Sequence, residues 1–336
     1  MVELLLAVVS YAIAALGAGW FIYWDSVRRG APSPAMAALW YGIFWPIGLG
    51  LHLLLRPRVA LTLCPVCLQP VGAALPNCPV CATPREIPLG DLPTTRRWGL
   101  GDAFGILVLC LSANLLCLLL ELALAPVRGP LGIGWQYAAL PLVCQIAAFW
   151  VLPLVAVGRL ARDSVSSLGW TGKRWPTYLA TGLAGALALV LLSGGAEQLT
   201  QWVIGAFTNG ETARTTLQAE RMNQAALLLP KHPLSLPALA FLSLVTIWGP
   251  VSEEVFFRGL MYTALRDRWG LGWAIIGSSL VFSLLHLAPA HVPVLFLVGA
   301  GLALLRQGTG SLLPGIVAHI GFNTTLVIGH YTSGLT

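Results

Sequence analysis

Apolar residues run almost unbroken for about 20 positions at a time and are then interrupted by short polar links, the pattern of a chain that crosses a bilayer repeatedly. The run at 4–24 is longer than the apolar core of a signal peptide, lacks a basic lead and ends in Trp20, Phe21, Tyr23 and Trp24. It predicts a retained anchor with an aromatic belt. The run at 34–55 carries Pro46, which predicts a kink. Further runs lie at 102–125, 133–157, 177–193, 238–265, 272–287, 292–305 and 311–328. The short links among the last four predict antiparallel neighbours, and the whole predicts an all-α bundle of about eight or nine spans. The longest polar stretch of the second half, 194–237, contains a segment at 212–229 that suits either an interfacial helix or a lid.

Composition agrees with this pattern. Of 336 residues, 57% are hydrophobic and 10% charged, against about 25% charged in a soluble domain; mean hydropathy is +0.79. That excludes an ordinary cytosolic enzyme. The net charge of +6 is scattered over links, so no nucleic-acid face is expected. With a cytoplasmic N-terminus and nine spans, twelve Lys and Arg fall inside and six outside. This predicts a multi-pass protein of the plasma membrane with residues 59–98 in the cytoplasm. Glu121, Asp102, His52 and His330 lie toward span ends, where the interface can solvate them.

The domain plan is two membrane helices at 1–58, an insert at 59–98 and a membrane domain at 99–336 with its motif core at 238–328. The insert is rich in proline and holds Cys64-Pro-Val-Cys67 and Cys78-Pro-Val-Cys81. Two such turns place four thiolates where they can close a tetrahedron around a structural Zn²⁺. Two disulfides or a redox pair are the alternatives, and a reducing compartment favours the metal. The repeated Cys-Pro-x-Cys knuckles resemble the zinc-ribbon family, which implies docking to a protein partner or regulation. Cys110, Cys117 and Cys144 lie in apolar runs, where a thiol behaves as a small hydrophobe.

Ionisable groups inside a span need a partner or a function, because burying a charge there costs about 2.5–3.5 kcal/mol. Three motifs stand out. In Gly249-Pro-Val-Ser-Glu-Glu-Val-Phe-Phe-Arg258, Pro250 predicts a break or a kink and Ser252 a cap for the segment that restarts after it. Glu254 and Arg258 are i and i+4 and can pair, while Glu253, rotated by about 100°, is left available as a base. Phe282 and His286 share one helix face in the middle or outer half of the next span. His319 and Asn323 share a face of the last span, where two aligned donors suit an oxyanion. Gly315 and Gly321 permit close helix approach there, and Pro314 fits a first turn capped by Ser311.

In order, these three motifs resemble the CPBP membrane proteases, the family of prenyl-protein endopeptidases and bacteriocin-processing enzymes. Its patterns Glu-Glu-x-x-x-Arg, Phe-x-x-x-His and His-x-x-x-Asn all match within 238–328. The resemblance implies an endopeptidase acting on a membrane-associated peptide or protein at the lipid bilayer. It further implies that Glu253 and His286 activate water and that His319 and Asn323 stabilise the oxyanion, with no catalytic metal. Alternative expectations are a zinc-dependent metalloprotease built on the same residues, a transporter, or a non-proteolytic scaffold with a zinc-ribbon docking module.

Overall fold

A computed structural model describes residues 2–57, 59, 61–67, 69–84, 98–128, 135–160 and 163–332. Five of the twelve inner charges, Arg58, Arg85, Arg96, Arg97 and Arg162, lie outside the described residues, as does most of the link from the insert to the membrane domain. The chain divides into two compact units, Met1–Ser112 with Leu154–Ser164, and Ala113–Pro153 with Val165–Thr336.

In the first unit, helix α1 (Val2–Arg28) is followed by α2 (Pro34–Ile43) and α3 (Ile47–Leu55). The kink expected at Pro46 is a full break into two short helices. Proline supplies no N–H to carry the ladder across. At the end of α1, the Asp25 carboxylate accepts hydrogen bonds from Arg29 Nε and Arg56 Nη1 at 3.0 Å and lies 3.0 Å from His52 Nε2. His52 is therefore buried against a carboxylate rather than solvated at an interface.

The insert is a hairpin of β1 (Leu61–Leu63) and β2 (Pro70–Gly72), antiparallel with Thr62 opposite Val71. Its two knuckles are built alike. Cys64 N donates to Gln69 O and Cys78 N to Thr83 O, each at 2.9 Å and five residues on. The unit also contains the first part of α4 (Leu100–Arg128).

The second unit contains the rest of α4, most of α5 (Trp135–Leu154), and α6 (Trp175–Phe207). The polarity at Gly194-Gly195 predicts the end of a span, but α6 continues through it for 33 residues. Its buried face extends from Leu189 to Ala196 and Thr200, and this packing outweighs the low helix propensity of two glycines. Segment 212–229 lies almost wholly in α7 (Gly210–Leu228), capped by Asn209 Oδ1, which accepts from Thr212 N at 2.7 Å.

One long helical run then comprises α8 (Leu236–Ser243), a π-helical turn at Leu244–Trp248, α9 (Gly249–Glu254), a second π-helical segment at Val255–Met261, and α10 (Tyr262–Leu284). The break expected at Pro250 is absent. Trp248 and Gly249 keep helical angles, so Ser252 caps nothing; its hydroxyl donates to Gly249 O at 2.8 Å. The wider π turn accommodates the proline ring that a regular turn would exclude. The break falls instead at Gly270, whose φ of 86° only glycine adopts readily.

Helix α11 (Val292–Thr309) ends at Gly310, and α12 (Leu313–Thr332) begins with Ser311 Oγ accepting from Leu313 N at 3.2 Å just before Pro314. Leu189, Val298, Leu302, Ala318 and Phe322 join α6, α11 and α12 in one core cluster. A Cβ at Gly321 would meet Ala186 Cβ at 2.7 Å, so the α6–α12 approach requires the expected glycine. Five helical stretches among the described residues are long and apolar enough to cross a membrane; one, Leu236–Leu284, is the 49-residue run that contains Gly270.

Candidate active site

The long run positions the carboxylate motif. Glu254 Oε1 accepts from Arg258 Nη1 at 3.0 Å, and both side chains are essentially inaccessible, at 0% and 1% exposure. The i, i+4 pairing expected from spacing is thus present. Arg258 Nη2 donates to Gly299 O on α11 at 2.9 Å, and its guanidinium carbon lies 4.7 Å from the centre of the Phe282 ring. A cation buried beside a carboxylate, a carbonyl and an aromatic face is compensated at short range, which burial of a guanidinium demands. Glu254 Oε2 is buried with no hydrogen-bond partner, and a Cβ at Gly315 would come within 3.0 Å of it. Gly315 therefore admits the Glu254 carboxylate, a reason beyond helix approach.

His319 lies between the two glutamates. Its Nδ1 is 3.1 Å from Glu254 Oε1 and its Nε2 is 3.8 Å from Glu253 Oε2. An ionised carboxylate only accepts, so Nδ1 carries the proton and Nε2 is directed at Glu253. The expected division of labour is accordingly wider: Glu254 anchors His319 as well as Arg258. Glu253 points away from the ion pair and retains 14% exposure, while His319 is 3% exposed. Gln145 Nε2 on α5 donates to Glu253 Oε1 at 3.4 Å. Sequence alone does not single out Gln145, because a lone amide in an apolar run carries no periodic signal.

His286 is not in the middle of a span. It occupies the turn just after α10, where Nδ1 donates to Phe282 O at 2.8 Å, satisfying one of the carbonyls left over at a helix C-terminus. That bond fixes the tautomer and leaves Nε2 as the free acceptor. The shared face with Phe282 is present, with ring centroids 4.7 Å apart; the same phenyl ring lies 5.8 Å from His319. Phe282 thus separates and aligns the two imidazoles. Among the described residues no hydrogen bond joins His286 to Glu253.

Asn323 has a local explanation rooted in Pro250. In the π turn Gly249 N bonds Leu244 O, five residues back, so the Val245 carbonyl faces Pro250, which has no N–H. Asn323 Nδ2 donates to that carbonyl at 3.1 Å, tying α12 to the helix that carries Glu253. One amide hydrogen of Asn323 is used in this way and one remains.

The four cysteines of the insert are the group of His, Cys, Asp or Glu among the described residues whose ligand atoms converge, all within 4.8 Å of one another. Cys64 Sγ to Cys81 Sγ and Cys67 Sγ to Cys78 Sγ are each 3.7 Å. The edge of a tetrahedron with Zn–S bonds of about 2.3 Å is about 3.8 Å, whereas a disulfide needs about 2.05 Å. The Thr83 hydroxyl and amide beside Cys81 hold its thiol down to about 6. At Cys67 the Gln69 amide lowers the thiol, but burial and three neighbouring sulfurs prevail and push it up to about 12. Four thiolates this close need a cation to neutralise them together, so the donor set fits a bound soft divalent metal.

Residues 235–325 match the family described as "Type II CAAX prenyl endopeptidase Rce1-like". Over 187 residues, 56% of this chain and 68% of the relative, the chain is 22% identical to the Bacillus subtilis protein named "Putative membrane peptidase YdiL". Over 198 residues, 53% of this chain and 71% of the relative, it is 28% identical to the Escherichia coli protein named "Uncharacterized 24.3 kDa protein". No solved structure matches. The apolar helices and these relatives make the chain an integral membrane protein.

Proposed function

We propose that this chain, whose residues 235–325 match the Rce1-like family of type II CAAX prenyl endopeptidases, is an intramembrane endopeptidase that hydrolyses a peptide bond of a membrane-associated peptide or protein. One observation carries the assignment of roles. Of two adjacent carboxylates, Glu254 is sealed by Arg258 and His319, while Glu253 stays partly accessible beside His319 Nε2. A buried, paired carboxylate is a poor proton acceptor; an accessible one can hold a water.

In this mechanism Glu253 and His286 Nε2 polarise a water. Its oxygen attacks the scissile carbonyl carbon, its proton passes to Glu253, and Glu253 then delivers that proton to the leaving nitrogen. The oxyanion is met by His319 in its imidazolium form, which donates from Nε2 while Nδ1–H stays bonded to Glu254, and by the remaining amide hydrogen of Asn323. The bundle has about eight or nine crossings in the plasma membrane. Cys64, Cys67, Cys78 and Cys81 would hold one structural Zn²⁺ in a cytoplasmic ribbon that docks a protein partner; the metal would supply a structural cross-link and no reaction chemistry.

A zinc-dependent mechanism on Glu253, His286, His319 and Asn323 is the competing route. Two fluorogenic peptides, one ending in a prenylated cysteine motif and one an unmodified apolar segment, test the activity with purified full-length protein. Cleavage of either by the parent, with rates lower by about 10²–10⁴-fold in Glu253→Gln, is the expected result. Equal cleavage by Glu253→Gln overturns the assignment of the base.

A further inference from the structure

The polar helix α7 buries Ala213 and Leu217, pairs Arg221 with Glu197 and, at Glu220, reaches another element. Its Glu220 carboxylate reaches the short turn Pro289–His291 that leads into α11. Oε1 accepts from Ala290 N at 2.9 Å, and Oε2 accepts from His291 N at 3.2 Å and lies 2.9 Å from His291 Nδ1. The Glu220 side chain is 21% exposed, whereas that of its neighbour Arg221 is 55% exposed. Glu220 accepts the Ala290 amide and shares the His291 amide with Ala288 O, to which His291 N donates at 2.9 Å.

What this turn adjoins gives the contact its significance. Only three residues separate His286 from Ala290, and one of them, Leu287, has a φ of 52°, a left-handed conformation costly for a branched side chain. Such a link keeps its shape only if both ends are held. One end is the C-terminus of α10, where His286 itself bonds Phe282 O. The other end is held by Glu220. A second tether fixes the chain beyond α7: Tyr331 Oη, on the helix that carries His319 and Asn323, donates to Pro230 O at 2.7 Å. The α7 segment is thus fastened to both histidine-bearing elements, which is not the construction of a freely swinging lid.

We infer that Glu220 is a positioning residue for the active site, holding the turn after His286 so that the free Nε2 of His286 stays aimed at the reacting water. This rests on the endopeptidase reading above and adds to it a residue outside the three motifs. The step involves no proton transfer by Glu220.

The test uses full-length protein in nanodiscs, the same fluorogenic peptides, and the variants Glu220→Ala and Glu220→Gln, with Glu253→Gln as the inactive control. Amide exchange across 286–292, kcat and KM, and the pH midpoint of the ¹⁵N-labelled His286 ring are read together. In Glu220→Ala, exchange at Ala290 accelerates, kcat falls by about 10- to 100-fold with KM nearly unchanged, and the His286 midpoint shifts. Glu220→Gln, which keeps one acceptor oxygen and decides the matter if Glu220→Ala fails to fold, lies between. Unchanged exchange overturns the latch. Faster exchange with unchanged kcat and an unmoved His286 midpoint overturns the positioning role. If the parent cleaves neither peptide the endopeptidase reading fails, and if Glu253→Gln cleaves as well as the parent the assignment of the base fails; in both cases exchange together with the His286 midpoint still decides the role of Glu220.

Discussion

His319 Nδ1 lies 3.1 Å from Glu254 Oε1, the same oxygen that receives Arg258 Nη1 at 3.0 Å. One carboxylate oxygen therefore joins an ion pair to an imidazole from a helix 65 residues away in sequence. Replacing Arg258 by Met leaves the Glu254 charge buried without its cation. Loss of about 3–5 kcal/mol is expected, read as a lowered unfolding midpoint in detergent. Glu253→Gln, at the accessible neighbour, should leave that midpoint within about 0.5 kcal/mol of the parent. An equal fall in both variants would contradict the contrast between the two carboxylates.

Gly315→Ala places a methyl 3.0 Å from Glu254 Oε2, closer than ordinary contact. Overpacking at such a site costs about 1–3 kcal/mol. Displacement of Glu254 should also loosen His319, so activity is expected to fall further than stability alone explains. Unfolding curves and kcat measured on one preparation separate the two effects.

Gln145→Leu removes the donor 3.4 Å from Glu253 Oε1 while preserving bulk in α5. The freed carboxylate should orient less sharply, lowering kcat by about 10-fold with KM little altered. A variant with parental kcat would show that the contact is dispensable.

Metal content distinguishes the two metal hypotheses. Cys64→Ser with Cys67→Ser should remove all bound zinc, and His286→Ala should remove none. Elemental analysis of the purified proteins reads this directly. A zinc ion that survives the cysteine changes and disappears with His286→Ala would establish a metal at the active site.

Glu220 gives a pH dependence of definite sign. Burial raises its carboxyl, but the Ala290 and His291 amides and the His291 ring prevail and hold it below the ordinary glutamate value of 4.5. The group is lowered in the folded protein, so its contribution is fully present above 4.5 and is lost as pH falls through the lowered value. The Tm difference between parent and Glu220→Gln should therefore be flat from about pH 7 to about pH 5 and shrink in stronger acid. A difference that vanishes already near neutrality would point to His291 instead.

Relationships within a few turns of one helix were legible in the sequence. Glu254 with Arg258 and Phe282 with His286 meet as their four-residue spacing requires, and the two cysteine pairs converge as their knuckles require. The apolar runs likewise announced a helical membrane protein. Covalent geometry sets these, since 3.6 residues per turn decides which neighbours share a face. Propensity misled where packing outweighed it: α6 continues through Gly194-Gly195 along its buried face, and Pro250 sits inside a helix because a π turn makes room. Only the tertiary structure decided that Glu254 anchors His319, that Asn323 fills the carbonyl Pro250 leaves open, and that Gln145 and Glu220 reach Glu253 and the turn after His286. Those contacts join residues 65 to 108 positions apart, and no local period specifies how one helix is rotated against another.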